Sequence, residues 1–116
     1  MVLARVMSVA LATAAVGCGG PVAGGSEDGA TIFSVACATC HGDAGKPPAS
    51  MVAQLRVRDL TEPGFRARVT LEGVAQQVRI GSANHLMPAF AGTLTEPQIR
   101  AVAAHVLTLA PAPAAP

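Results

Sequence analysis

The sequence predicts a single all-α domain. Apolar residues recur at helical spacing, and no stretch shows the alternating pattern of a good strand. Helix start and stop signals also divide the chain clearly, because capping residues stand where periodic segments begin and glycine or proline stands where they end. With 116 residues there is room for one domain only.

The first and middle helices have distinct start signals. Ser26 is predicted to cap the first helix, with Glu27 and Asp28 in its first turn, and this helix runs into the cysteine motif described below. Thr70 is predicted to cap the middle helix, which continues at helical spacing until Gly81.

The last helix begins with a capping box formed by Thr95 and Gln98 and ends before Pro111. Its predicted buried stripe consists of Ile99, Val102, Ala103 and Val106. The region between the first and middle helices is harder to interpret. There, residues 51–58 are predicted as a short helix and residues 62–65 as a turn.

Cys37-Ala-Thr-Cys40-His41 has the spacing of covalent haem attachment. Two thiols three positions apart each add across a vinyl group of one haem, and the histidine that follows binds the iron as an axial ligand. The alternatives are a thioredoxin-like redox pair and half of a zinc site. The first needs a strand–helix context, and the second needs another Cys/His pair, whereas the one remaining cysteine is Cys18, far upstream.

Met87 is the predicted second axial ligand. A thioether is a soft ligand that suits haem iron, and Pro88 stiffens the backbone beside it. The alternative ligand is His85, which would make a bis-histidine haem. The string Met-Pro-Ala-Phe at residues 87–90 favours the methionine.

These motifs, followed by a final amphipathic helix, resemble a small monohaem cytochrome c of the His/Met-ligated class I type. The resemblance spans residues 29–109. It implies the cytochrome c fold, a few helices wrapped around one covalently bound haem c. It also implies one-electron transfer, with thioethers at Cys37 and Cys40 and axial ligands His41 and Met87.

The resemblance implies further contacts. The first and last helices cross closely at Gly29, and His105 takes the place of an aromatic residue beside Phe33. A backbone carbonyl at Pro47 or Pro48 accepts the Nδ1 proton of the haem-ligating histidine. The candidates to meet the haem propionates are Arg56, Arg58 and Arg79.

Residues 1–18 have the features of a bacterial export signal. Residues 1–17 form a predicted signal peptide with one positive charge and an apolar run too short to span a bilayer. Residues 15–18 resemble a bacterial lipobox, although Ala15 stands where leucine is commoner, and this predicts a lipid on Cys18. The alternative is ordinary cleavage near residue 14 or 15, which leaves a free thiol. The odd cysteine favours the lipid.

The predicted organisation is a signal peptide at residues 1–17, the lipidated Cys18 with a flexible tether to residue 25, a cytochrome c domain at residues 26–110 and a disordered tail at residues 111–116. The mature protein is then a lipoprotein anchored on the periplasmic side of a membrane, or alternatively a soluble periplasmic protein.

The net charge and the distribution of basic residues limit the classes of binding partner. The formal net charge is +1, and no basic run or aromatic–basic interleaving suggests nucleic acid. Lys46 is the only lysine, so the lysine-rich docking face of some cytochromes c is missing. The expected partners are redox proteins of an electron-transport chain and, through the lipid, a membrane, with no small-molecule substrate. The alternatives are a haem subunit of a fixed complex, or a sensor or catalytic haem with a labile sixth ligand.

Overall fold

The structure, a computed structural model, describes residues 20–111, and within that range it is helical with no strand. The predicted all-α architecture is confirmed. A short 3-10 helix at Val22–Gly25 is followed by six α-helices: α1 Gly29–Ala36, α2 Ala38–His41, α3 Ala49–Leu55, α4 Pro63–Arg68, α5 Leu71–Ile80 and α6 Glu96–Thr108.

The last helix is the centre of the fold, because α6 packs against both α1 and α5. Its crossing with α1 depends on Gly29. A Cβ atom at Gly29 would lie 2.2 Å from the carbonyl oxygen of Ala101 and 2.9 Å from Cβ of His105. Close approach at this glycine is therefore confirmed. The predicted pairing of Phe33 with His105 is also confirmed, since their ring centroids are 5.2 Å apart.

The core between these helices is built from medium-sized side chains. Its largest fully buried members are Phe33, Ile32, Ile99 and Val102. From α5, Ala75 and Val78 join the same cluster. The predicted stripe of α6 is buried throughout.

The starts of α1, α5 and α6 follow the sequence signals with one correction. Thr70 accepts a hydrogen bond from the Gly73 amide, and Thr95 forms the predicted capping box with Gln98. The cap of α1, however, is Asp28 and not Ser26. The Asp28 carboxylate accepts from the Thr31 amide at 3.0 Å, while the Ser26 hydroxyl accepts from the Asp28 amide at 3.1 Å.

The region between α2 and α5 differs from the sequence prediction. Helix α3 begins two residues earlier than expected and ends at Leu55, before the expected residue 58, because the next residue, Arg56, has a left-handed φ of 53°. The predicted turn at residues 62–65 is wrong. Glu62 instead caps α4, since its carboxylate accepts from the amides of Gly64 and Phe65, both at 2.8 Å. Proline is favoured in the first turn of a helix, because its φ is already helical and its missing N–H would have no partner there. Pro63 and Gly64, which resemble a turn in sequence, therefore stand at the start of α4.

The ends of the chain are described only in part. The predicted signal peptide, Cys18 and residues 112–116 lie outside the described residues. Part of the predicted tether is docked, because Val22 and Ala23 pack against the core and Gln98 Nε2 donates to the Val22 carbonyl at 3.1 Å. Among residues 20–111, none of the helices has the length and apolar character needed to cross a membrane.

Candidate haem site

One cavity brings together the residues that the sequence singled out. It has a volume of about 650 Å³ and is lined by Cys37, Cys40, His41 and Met87. This size falls within the roughly 300–1,000 Å³ usual for cofactor pockets. Most of the remaining wall is apolar and includes Phe33, Phe65 and Val106.

The two thiols are placed by the junction of α1 and α2. Cys37 ends α1 and starts α2, and the Cys40 amide donates to the Cys37 carbonyl at 3.2 Å. Both thiols are free and half-buried. Burial, and secondarily the charge of Cys40, raises the pKa of Cys37 to about 11. A redox-active pair needs a thiolate near neutral pH, so this environment disfavours the thioredoxin-like alternative.

The His41 ring is oriented by a backbone carbonyl. Its Nδ1 lies 3.1 Å from the carbonyl oxygen of Arg58. A carbonyl only accepts, so Nδ1 carries the proton and Nε2 keeps its lone pair for a metal. Burial lowers the pKa of His41, which also favours the neutral, ligating form, against a smaller opposite effect of the hydrogen bond. The expected partner, Pro47 or Pro48, is therefore wrong.

Met87 is fixed by a tight loop after α5. Its amide donates to the Ser82 hydroxyl at 2.9 Å, and its carbonyl accepts from the Ser82 amide at 3.0 Å. Gly81 permits this closure. Its φ is +70°, and a Cβ there would lie 2.4 Å from the Met87 carbonyl oxygen. The methionine is half-buried and packs against the core cluster.

His85 is placed differently from Met87. It is exposed, has a left-handed φ of 62°, and is not among the residues that line the cavity. Its neighbours in the loop, Asn84 and Leu86, do line the cavity. The described geometry therefore favours the methionine over the bis-histidine alternative.

Two of the three arginines proposed for the propionates face the cavity. Arg56 and Arg58 line it, but Arg79 does not, because it forms a two-pronged ion pair with Glu96 at 2.9 Å. Arg68 also lines the cavity and was missed by the sequence analysis. The sequence offered one clue to Arg68: the capping residue Glu62 starts helix α4, which ends at Arg68, but the sequence analysis interpreted residues 62–65 as a turn.

The residues present fit a covalently bound haem. Two thiols, a neutral imidazole with Nε2 available and a thioether line a single apolar-walled space. Thiols supply the thioethers of a c-type haem, while imidazole and thioether are the axial ligand pair of cytochromes c.

Comparison with known proteins supports the same family. Residues 25–106 match the family model described as cytochrome c oxidase, cbb3-type, subunit III. Cytochrome c6 from Microcystis aeruginosa is 40% identical over 83 residues, covering 72% of this chain and 95% of that protein. Cytochrome c6 from Parathermosynechococcus lividus is 38% identical over 80 residues, covering 69% of this chain and 85% of that protein.

A solved structure shares the fold. The c-type cytochrome KustC0563 superposes with a TM-score of 0.64 at 25% identity, covering 72% of this chain and 98% of that one. The family model and the cytochrome c6 relatives each span most of the described domain. The chain therefore belongs to the cytochrome c family, as a small c-type cytochrome that carries a covalently bound haem c and acts as an electron carrier.

Proposed function

We propose that this protein is an exported one-electron carrier whose haem is attached through Cys37 and Cys40 and ligated by His41 and Met87. The observation that carries this proposal is the single cavity lined by all four side chains. The haem supplies the ferrous–ferric couple, and the protein supplies its position, ligands and apolar surroundings.

Both axial ligands are supported by hydrogen bonds that limit their movement. The Arg58 carbonyl holds the His41 ring, and the Ser82 hydroxyl holds the Met87 backbone. Fixed ligands favour electron transfer, because little has to rearrange between the two oxidation states. With both axial positions filled by protein, no position is open for a substrate, so the protein is a carrier and not an enzyme.

The axial assignment is tested by substitution in the haem-loaded protein. In Met87→Ala, water, a weak-field ligand, replaces sulfur, so the oxidised spectrum becomes partly high-spin and the reduction potential falls. Met87→His stays low-spin with a lower potential, because imidazole stabilises ferric iron better than sulfur does.

His85→Ala is the matched control and leaves both properties nearly unchanged. Loss of the low-spin spectrum in His85→Ala, with retention in Met87→Ala, would show that the protein is a bis-histidine cytochrome. Carbon monoxide binding to the reduced wild-type protein would show that the sixth ligand is labile.

The thioethers are tested by extraction. Acid–organic treatment should leave the haem on the polypeptide, and a peptide containing Cys37 and Cys40 should carry its mass. If the haem extracts freely, covalent attachment at these two cysteines is wrong.

We place the protein on the periplasmic side of a membrane, anchored by a lipid on Cys18. The signal-like residues 1–17 and the odd cysteine support this placement. In Cys18→Ser, the protein should move from the membrane fraction to the soluble fraction. An equal soluble distribution of wild type and variant would indicate ordinary signal cleavage instead.

A second candidate is a subunit that passes electrons within a fixed complex. The match of residues 25–106 to a model named for an oxidase subunit favours this candidate. Mild detergent extraction and size-exclusion chromatography distinguish the two. A free monohaem species supports the mobile carrier, whereas co-elution with other haem proteins supports the subunit.

A further inference from the structure

The residues shortly after the proposed lipid site have a defined shape. Residues 21–26, which we call the latch, form a compact turn between the proposed lipid site and α1. Within it the Gly24 amide donates to the Pro21 carbonyl at 3.0 Å, and the Ser26 amide donates to the Ala23 carbonyl at 3.1 Å. These hydrogen bonds hold the segment in one conformation.

The backbone of the latch depends on its contacts with the domain. Ala23, Gly24 and Gly25 have left-handed φ values of 54°, 63° and 81°. Glycine adopts this region freely, but alanine does so at a cost in energy, and such a residue persists where its surroundings hold it. Val22 and Ala23 provide those contacts, because both pack against the core cluster.

Gln98 of α6 binds the latch through both of its amide N–H donors. It is only 2% exposed, and its Nε2 donates to the Val22 carbonyl at 3.1 Å and to the Ser26 carbonyl at 2.9 Å. Its Oε1 accepts from the Thr95 amide at 3.0 Å as part of the capping box. The helix cap uses the oxygen alone, so the two donors are left for the latch.

The latch shortens the chain between the domain and Cys18. An extended chain covers at most about 3.5 Å per residue, so Val22 lies within about 14 Å of Cys18, whereas a free tether to Ser26 would reach about 28 Å. A lipid on Cys18 therefore keeps the domain close to the bilayer. The end of the domain that carries the latch stays closest to it.

The haem cavity lies towards the other end of α1. This helix begins at Gly29, close to the latch, and ends before Cys37, about 12 Å further along at 1.5 Å per residue. Among the described residues 20–32, none lines the cavity, and its lining from α1 begins at Phe33. The latch and the proposed thioethers are therefore separated by the length of α1.

Charge does not hold the latch end against a bilayer. The charged residues within 20–31 are Glu27 and Asp28, both acidic. Anionic lipids attract lysine and arginine, and this end of the domain has neither. The orientation of the domain therefore depends on the acyl chain and on the short connection to it.

We propose that the latch determines which end of the domain faces the membrane. The end formed by residues 21–28 and the start of α1 faces the lipid surface, and the haem cavity faces away from it. This inference rests on the proposed lipid on Cys18. The haem is then presented to redox proteins that project from the membrane, and not to the bilayer surface.

The test uses nitroxide spin labels on the haem-loaded, lipidated protein. Ala30→Cys labels the start of α1, and Ala83→Cys labels the loop that holds Met87, whose neighbouring residues 82 and 84 line the cavity; both alanines are exposed. The protein is bound to phosphatidylcholine vesicles with and without nickel-chelating lipid. Nickel at the headgroups speeds the spin relaxation of nearby nitroxides, so the enhancement should be several times larger at residue 30 than at residue 83.

Gln98→Glu releases the latch and keeps the helix cap. Its carboxylate still accepts from the Thr95 amide but has no N–H for the carbonyls of Val22 and Ser26. The difference between the two labels should then be largely lost. Gln54→Glu, at an exposed position of α3, adds the same charge and should leave the difference unchanged.

A second variant lengthens the connection without touching the folded domain. A repeated Gly-Ser segment inserted between Gly20 and Pro21 leaves the latch in place but frees the domain to rotate above the bilayer. The difference between the two labels should again be largely lost, while the haem spectrum stays that of wild type.

The outcomes separate this inference from the proposed anchor. Equal enhancement at residues 30 and 83 in the lipidated protein overturns the inference alone. A difference that persists in Gln98→Glu or in the insertion variant also overturns it, because the latch or the short connection would then not set the orientation. An equal loss in Gln54→Glu would show a general effect of charge. Absence of lipid from Cys18 contradicts the proposed anchor, and the membrane-facing end with it.

Discussion

Met87 depends on a serine five residues earlier in the chain. The Ser82 hydroxyl accepts from the Met87 amide at 2.9 Å and donates to the Asn84 side-chain carbonyl at 2.6 Å. The Ser82 amide also donates to the Met87 carbonyl. One residue therefore holds the methionine backbone through both its amide and its carbonyl.

Ser82→Ala should loosen the methionine without removing it. Loss of a partly buried hydrogen bond costs about 1 kcal/mol, so we expect roughly a fivefold larger population of protein with Met87 detached. The high-spin fraction of the oxidised visible spectrum, followed against temperature, measures this population. Ser34→Ala, at an exposed position of α1, is the control and should leave the fraction unchanged. An unchanged fraction in Ser82→Ala would show that core packing alone holds Met87.

The residues proposed to bind the haem, and their hydrogen-bond partners, were predictable to different degrees. Cys37, Cys40 and His41 form a continuous motif, so local spacing was enough to propose them. The partner of His41 is the carbonyl of Arg58, 17 positions away. Any residue has a carbonyl, so its side chain gives no signal for this role, and only the path of the intervening loop selects it. The expectation for Pro47 or Pro48 failed for that reason.

The α1–α6 crossing depends on the absence of a side chain at Gly29. Gly29 brings the α1 backbone to the Ala101 carbonyl, and no side chain larger than hydrogen fits between them. The contact also places Phe33 against His105 and Val102 in the fully buried core. The position of α1 in turn fixes Cys37 at its end.

Gly29→Ala should destabilise the domain by about 1–3 kcal/mol or more, because backbone atoms have to move to admit a methyl group. Urea unfolding of the haem-loaded protein, followed by circular dichroism, measures the change as a lower midpoint. Gly92→Ala is the matched control, since a Cβ at Gly92 meets no atom within 4 Å. Equal midpoints for the two variants would mean that the helices separate at little cost.

The Glu62 cap makes the stability of α4 depend on pH. The amides of Gly64 and Phe65 hold the pKa of this carboxyl below its usual 4.5. Its stabilising contribution is therefore complete above about pH 4.5 and is lost as pH falls through the lower folded-state pKa. Glu62→Gln removes the charge and keeps an acceptor, so the variant should be less stable than wild type at neutral pH.

The difference in unfolding free energy between wild type and Glu62→Gln should shrink below pH 4.5. Chemical denaturation at a series of pH values measures it. Glu27→Gln serves as the control, because Glu27 is exposed and accepts no hydrogen bond within residues 20–111. A difference that is constant down to low pH would rule out a charged cap.

The two helices with a threonine cap were predicted well, whereas the two short helices α3 and α4 were not. Thr70 and Thr95 cap the starts of α5 and α6 by hydrogen bonds to amides three residues later, and Gly81 ends α5. All three predictions are confirmed. Helices α3 and α4 are seven and six residues long, too short for a periodic pattern to stand out. Their placement depends on the cavity they enclose, which a linear pattern does not contain.

The domain as a whole is arranged around a space that its side chains do not fill. The chain has three phenylalanines and neither tyrosine nor tryptophan. The described core is continuous along α1, α5 and α6, and Met87 and Phe65 of α4 pack against it at the border of the cavity of about 650 Å³. The haem therefore replaces the large side chains that a domain of this size usually buries.

Cys37→Ser combined with Cys40→Ser, which prevents attachment, should abolish cooperative folding. Without the haem, the apolar side chains that line the cavity would face water, and a small domain has little other stability to offset that loss. We expect reduced helical circular dichroism and no sigmoidal thermal transition in the double variant. In Met87→Ala both thioethers remain, so the haem still occupies the cavity. This variant should keep a cooperative transition, at a lower temperature than wild type. A sharp transition in the haem-free double variant would show that the polypeptide closes the cavity by itself.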